Sequence, residues 1–156
     1  MIGFYPGSFD PITLGHEDII RRALKICEKL VIGISKDNFK NSYLSCEQRL
    51  KLIKLIYSSN KNIEVIIYQG LTTEFAKEIN ANVIFKGLRN MNDYLAESQM
   101  AQLNRVICNE IDTIFLDSSD NYRSISSSYV KQIFQLDGDI SQFVSSETIK
   151  FLEDVK

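Results

Sequence analysis

Short apolar runs alternate with stretches of helical periodicity along nearly the whole chain, and no other feature constrains its fold as much. Ile2–Tyr5, Leu30–Ile34, Ile63–Tyr68, Asn82–Phe85 and Thr113–Leu116 read as strands. They are rich in β-branched and aromatic residues and too short for helices. Between them, Ile19, Ile20, Ala23, Leu24 and Cys27 share one helical face, Leu50, Ile53, Ile56 and Tyr57 another, and Phe75, Ala76 and Ile79 a third. A longer helix is predicted from about Met91 to Asn109, another around Val130, Ile133 and Phe134, and a last from about Ser146 to Asp154. Strands apolar on both faces and separated by helices specify a parallel sheet with right-handed crossovers. The expected fold is α/β, a single doubly wound, Rossmann-like domain over residues 1–156 with a five-stranded parallel sheet.

Composition limits what such a domain does. A chain of 156 residues buries a core without covalent staples. A net charge of −2 offers no general basic field, which disfavours nucleic acid and makes any cationic site local. Cys27, Cys46 and Cys108 form no CxxC pair, and His16 is the only histidine, so no zinc set exists. Asp117 and Asp120 fit no EF-hand spacing, and no protein metal site is read. Reduced thiols, no leader-like N-terminus and no long apolar run point to a cytoplasmic protein away from the membrane.

In sheets of this kind ligands bind beyond the carboxyl ends of the strands, so the loops there carry the chemistry. After the first strand come Gly7, Ser8, Phe9 and Asp10, then Gly15 and His16 at a helix start, a natural anion site. Turn formation alone also accounts for Ser8 and Asp10. After the second strand the polar loop holds Lys36 and Lys40, which solvation also explains. After the fourth come Lys86, Gly87 and Arg89. Gly87 is read as a tight turn, and the two cations call for an anion or for pairing with Asp93 or Glu97. After the fifth comes a serine-rich loop ending in Ser126, Ser127 and Ser128. One serine suffices as a helix cap, and the others suit a polyphosphate. Four loops on one rim thus carry anion-binding chemistry, without a P-loop or a GxGxxG.

These residues resemble a known family. Tyr5-Pro-Gly-Ser-Phe-Asp-Pro-Ile-Thr-Leu-Gly-His16 is similar to the [Y/F]PG[T/S]FDPxTxGH signature of bacterial phosphopantetheine adenylyltransferases. Gly87-Leu-Arg89, Glu97 and Ile125-Ser-Ser-Ser128 resemble its other motifs in order and spacing. The resemblance implies direct in-line transfer of the adenylyl group of ATP to 4′-phosphopantetheine with Mg²⁺, giving dephospho-coenzyme A and pyrophosphate. It implies His16 and Lys40 as catalytic residues. ATP contacts are implied at Ser8, Phe9, His16, Gly87, Leu88, Arg89, Glu97 and the run Tyr122, Arg123, Ser124, Ile125, Ser126, Ser127 and Ser128. Contacts to 4′-phosphopantetheine are implied at Ser8, Lys40, Thr72 and Lys86. A homohexamer and feedback inhibition by coenzyme A are family expectations, with the long helix from Met91 and the segment from Leu136 to Phe143 as candidate contact surface.

Three departures stand out. Lys86 replaces an arginine, so a planar fork becomes a point charge. Asn41-Ser42 stands where many relatives have Lys-Pro, and Tyr122 where tryptophan is common. Two rival functions remain: a nucleotidyltransferase with another acceptor, such as nicotinate mononucleotide or glycerol 3-phosphate with CTP, and a nucleotide-binding module without turnover.

Overall fold

A computed structural model describes residues 1–36 and 42–156. Five parallel strands form the sheet: β1 (Ile2–Gly7), β2 (Lys29–Ser35), β3 (Ile63–Tyr68), β4 (Val83–Leu88) and β5 (Asp112–Asp117). The helices are α1 (Leu14–Ala23), α2 (Cys46–Ile56), α3 (Thr72–Glu78), α4 (Met91–Ile107), α5 (Ser127–Gln135) and α6 (Ser146–Val155). This is the doubly wound α/β fold that the alternation predicts.

Strand order is β3-β2-β1-β4-β5. The chain therefore winds outward from β1 to β3, then crosses back to β4 on the other side of β1. That reversal is a topological switch point, where a crevice opens beyond the strand ends. The register shows the opening. β1 pairs with β2 along its full length, from Ile2↔Lys29 to Gly7↔Ile34. With β4 it pairs only at Gly3↔Val83 and Phe4↔Ile84. Beyond Phe4 the two central strands part.

Strand alternation splits the core into two layers. Tyr5, Leu30, Ile32, Ile34 and Phe85 face α1, α2, α5 and α6. Phe4, Val31 and Ile84 face Phe75 and Ala76 of α3. No residue of α4 is buried, although Tyr94 sets its ring edge-on to Phe115 of β5.

Two strands run two or three residues past the ends that the sequence suggests. β1 continues through Pro6 and Gly7, held by pairing with Gly33 and Ile34. β4 continues through Lys86↔Phe115 and Gly87↔Leu116 to Leu88↔Asp117. The tight turn expected at Gly87 is therefore corrected: Gly87 is a strand residue. Its missing side chain admits Ile19, whose Cγ1 lies 3.0 Å from where a Cβ would sit. Long-range ladder bonds decide these ends, and local composition does not carry them. The helix expected to reach Asn109 ends at Ile107.

Close packing in the second layer is testable at Gly33. A Cβ there would meet Cε2 of Phe4 at 2.4 Å, and Phe4 is fully buried. We expect Gly33→Ala to cost about 1–3 kcal/mol through overpacking and to lower Tm by several degrees in calorimetry. An unchanged Tm would mean that the Phe4 ring yields freely.

Candidate active site

A cavity of about 890 Å³ occupies the crevice where β1 and β4 part. Its lining includes Tyr5 and Ser8 from the β1 side, Gly87 and Arg89 from the β4 side, and Ser124 to Tyr129 from the segment entering α5. Three helix N-termini border it, those of α1 at Gly15 and His16, α4 at Asn90 and Asp93, and α5 at Ser126 to Ser128. Each contributes unpaired backbone N–H groups and the positive end of a helix dipole. No acidic residue lies in the first turn of α5 to offset that end. The arrangement suits a polyanion.

His16 is held in a defined state. The backbone N–H of Thr13 donates to its Nδ1 at 3.1 Å, and the Thr13 hydroxyl lies 3.0 Å from the same atom. A nitrogen that accepts carries no proton, so the neutral ring keeps its proton on Nε2. Phe9 packs edge-on against the imidazole at 5.1 Å between centroids. Burial and then the Arg89 guanidinium pull the pKa of His16 down from 6.5 to about 4. At neutral pH the residue is an uncharged hydrogen-bond donor bordering the cavity.

The cations are already paired. Arg89 grips Asp93 through Nε at 2.9 Å and Nη2 at 3.3 Å, and its Nη1 reaches the carbonyl of Ile125 at 3.5 Å. Lys86 Nζ lies 3.2 Å from Glu97 Oε2. Of the two alternatives left open by the sequence, carboxylate pairing is thus what the cleft displays. Tyr5 stands among these groups, and burial drives its phenol well above the ordinary range.

The described members of the serine run divide their work. Ser126 caps α5 by accepting from the Tyr129 N–H at 3.2 Å, and Ser127 donates to the Pro11 carbonyl at 2.8 Å. Ser8, His16, Gly87, Arg89, Glu97 and Tyr122 to Ser128 all line the cavity. Phe9 and Leu88 do not; Phe9 is fully buried, and the Leu88 carbonyl accepts from the Ser118 N–H at 2.7 Å. Lys86 touches the cavity through its partner Glu97. Thr72 opens α3 at the end of β3, its hydroxyl 3.2 Å from that of Tyr68, outside this lining. Lys40 and Asn41 lie outside the described residues.

Several site-forming residues escape a sequence reading. Asp10 looks like a turn residue, yet its buried carboxylate accepts from the Tyr43 and Leu44 N–H groups at 2.9 and 2.8 Å and from Lys131 Nζ at 3.0 Å. Asp18 is buried on α1. Burial raises its pKa, but the Ser119 hydroxyl, Arg21 and Arg22 outweigh it and hold the carboxylate below its usual range. The Ser119 bond, 2.7 Å long, ties α1 to the segment after β5. No local signal marks either partnership, because the partners are far away in sequence.

Among the described residues no three His, Cys, Asp or Glu side chains converge to hold a metal. The cavity carboxylates Asp93 and Glu97 each face a cation. This donor set fits a Mg²⁺ that arrives on a polyphosphate and keeps water and phosphate ligands, rather than an ion caged by protein.

Fold and cleft together define a nucleotidyltransferase domain, and residues 4–133 match the cytidylyltransferase-like family. A candidate nicotinate-nucleotide adenylyltransferase from Vibrio parahaemolyticus shares the fold, with TM-score 0.76 and 15% identity, over 98% of this chain and 91% of that one. A lipopolysaccharide core biosynthesis protein from Thermoplasma volcanium does so with TM-score 0.59 and 20% identity, over 77% and 98%. The chain belongs, more narrowly, to the phosphopantetheine adenylyltransferase family. It is 44% identical to the enzyme of that name from Lachnoclostridium phytofermentans, over 98% of this chain and 94% of the relative. It is 43% identical to that of Alkaliphilus metalliredigens, over 92% and 91%, and 40% identical to that of Burkholderia vietnamiensis, over 97% and 92%.

The state of His16 has a measurable consequence. The unfolded chain takes up this proton near 6.5 and the folded chain near 4, so protons in between favour unfolding. The contribution of His16 to stability is complete above pH 6.5 and is lost as pH falls towards 4. Its imidazole resonances in the ligand-free protein should titrate near 4 by NMR. A midpoint near the ordinary value would mean that the ring is neither desolvated nor pressed by Arg89.

Proposed function

We infer that this chain transfers the adenylyl group of ATP to 4′-phosphopantetheine, giving dephospho-coenzyme A and pyrophosphate, the penultimate step of coenzyme A synthesis. The observation that carries the mechanism is the convergence of three helix N-termini, Arg89 and a neutral His16 donor on one crevice. Direct attack, with no covalent enzyme intermediate, is what the motif resemblance implies. A phosphate oxygen of the acceptor attacks the α-phosphorus, the bond from that phosphorus to the β-phosphate bridging oxygen breaks, and pyrophosphate leaves. Positioning and charge stabilisation supply the rate.

On this reading His16 donates from Nε2 to the α-phosphate, where negative charge redistributes in the transition state. The backbone at Ser8 and Phe9 and the hydroxyl of Ser8 receive ATP, with Ser8 also facing the acceptor. Gly87 and Leu88 by backbone, Arg89 by charge, and Glu97 help hold the nucleotide. Tyr122 to Ser128 wrap it, with the α5 N-terminus toward the β- and γ-phosphates. Arg89 loosens from Asp93, and Lys86 from Glu97, as phosphates arrive. Lys86, Lys40 and the Thr72 region take the phosphopantetheine; for Lys40 the support is the motif resemblance alone. A Mg²⁺ brought in with the triphosphate would lie beside Asp93 and Glu97 and would supply neutralisation of charge that otherwise repels the acceptor.

A homohexamer is proposed as the working assembly. Its support is α4, which leaves Met91, Leu95, Leu103 and Val106 exposed, Val106 by 85%. Such a patch is unusual on a monomer. Coenzyme A, which contains the product, is proposed as a feedback ligand of the same cleft. Free Cys27, Cys46 and Cys108 support a reducing, cytoplasmic setting. Among the described residues no helix is long and apolar enough to cross a membrane.

Pyrophosphate release should require ATP and 4′-phosphopantetheine together, and should fail with nicotinate mononucleotide, glycerol 3-phosphate or CTP. His16→Ala is expected to lower kcat by roughly 10²–10³-fold or more while ATP binding by calorimetry is kept. Lys40→Ala should be severely impaired for the same reason of charge, and Lys86→Arg should tighten the acceptor. Near wild-type turnover of His16→Ala would falsify its role, and release with another acceptor alone would reassign the substrate.

A further inference from the structure

Arg49 is the only lysine or arginine buried among the described residues, 2% exposed, and no step above uses it. It sits in the first turn of α2. Its Nε donates to the Ser45 carbonyl at 3.3 Å and its Nη2 to Cys46 Sγ at 3.1 Å. Its own helix thus fixes the guanidinium from one side. The remaining arm, Nη1, reaches out of the helix and donates to the Ser8 carbonyl at 2.7 Å.

That carbonyl belongs to the peptide joining Ser8 to Phe9. The cis bond of this segment is the one between Asp10 and Pro11, and the Ser8–Phe9 peptide is trans. In a planar trans peptide the C=O and N–H point in opposite directions. With the carbonyl turned to Arg49, the Phe9 N–H is turned away from α2. Phe9 itself has φ of 49°, a left-handed conformation that few non-glycine residues adopt. Its N–H finds no acceptor among the described residues, and Phe9 is a buried residue. A buried N–H without a partner is rare, and a site that receives a ligand is one place where it is found. Ser8, one residue earlier, lines the nucleotide cavity.

We propose that Arg49 is a positioning residue that holds the Ser8 carbonyl so that the Phe9 N–H is presented to a phosphate of ATP. The proposal rests on the reading of Ser8 and Phe9 as ATP ligands. Arginine suits the task because its rigid fork meets three acceptors at once, whereas lysine offers a single centre.

The experiment compares Arg49→Met and Arg49→Lys with Leu52→Ala, a core change in the same helix that touches no part of the cavity. All are studied as the full chain, well below their Tm. Arg49→Met should weaken ATP binding by about tenfold or more, with kcat/KM for ATP falling in step. The KM for phosphopantetheine should rise less than that for ATP, since the acceptor meets the Ser8 side chain and not the Phe9 N–H. Arg49→Lys should recover only part of the loss. Leu52→Ala should lower Tm comparably and leave ATP binding intact. In selectively labelled wild type, ATP should shift the Phe9 amide resonance strongly, and in Arg49→Met that shift should shrink.

If Arg49→Met binds ATP as wild type does, or if Leu52→Ala shows the same ATP defect, Arg49 has no positioning role. If wild type binds ATP and the Phe9 amide does not respond, the assignment of Ser8 and Phe9 as ATP ligands fails, and the proposal with it. An intact wild-type response combined with unaffected Arg49 variants overturns the proposal alone.

Discussion

The parting of β1 from β4 is the constraint on which the rest depends. Two neighbouring parallel strands gain ladder bonds for as long as they stay together. Here they share only the positions around Gly3 and Phe4. Each then keeps its other neighbour, β2 for β1 and β5 for β4, to the end of the strand. The lost bonds are therefore confined to one seam, and the opened backbone faces the ligand cavity. Because the chain reverses its winding direction at the same seam, helices on the two sides deliver their N-termini to one place. A polyanion site thus follows from topology before any side chain is considered.

Charge within that site is arranged to be exchanged. Arg89 and Lys86 would be costly beside a half-buried cleft without anions, and Asp93 and Glu97 supply them. A carboxylate and a phosphate oxygen are alternative partners of similar geometry for the same guanidinium. On the proposed reading, phosphate arrival would then replace one charge-assisted bond with another instead of desolvating a bare cation. His16 completes the arrangement by being neutral. Close to Arg89, an imidazolium would add like-charge repulsion, which is part of why its pKa falls to about 4. The uncharged ring still has a hydrogen bond to donate, so on the proposed reading it would stabilise developing negative charge without competing with Arg89 for the resting carboxylates.

Much of this was legible in the sequence because it was written in local patterns. Strand and helix alternation depends on residue types within one element, and it placed every strand of the sheet. The motif from Tyr5 to His16 and the serine run are contiguous, so their place at helix starts could be read directly. What escaped was non-local. β4 runs on through Lys86 and Gly87 because β5 pairs with it there, and composition alone suggested a turn. Asp10 reads as a turn residue and Asp18 carries no signal of a distant partner, and their partners include Lys131 and Ser119, more than a hundred residues away. Arg49 gave no sign at all, since a helical arginine is ordinarily a solvated one. Its burial follows from where α2 lands against the first loop.

These non-local bonds explain how a strained segment stays rigid. The loop between β1 and α1 holds Phe9 at a positive φ and must not relax if its backbone is to meet phosphate in a fixed geometry. Four bonds from elsewhere hold it: Arg49 on the Ser8 carbonyl, Lys131 on Asp10, Ser127 on the Pro11 carbonyl, and the Leu14 N–H on the Phe143 carbonyl. They come from α2, from α5 and from the segment before α6, so no single element can shift and carry the loop away. Asp10 adds the amides of Tyr43 and Leu44, which fastens the chain just ahead of α2 to the same point. Relaxation of Phe9 would break several of these bonds together, and preorganisation of the phosphate loop is in this sense a property of the whole helical layer.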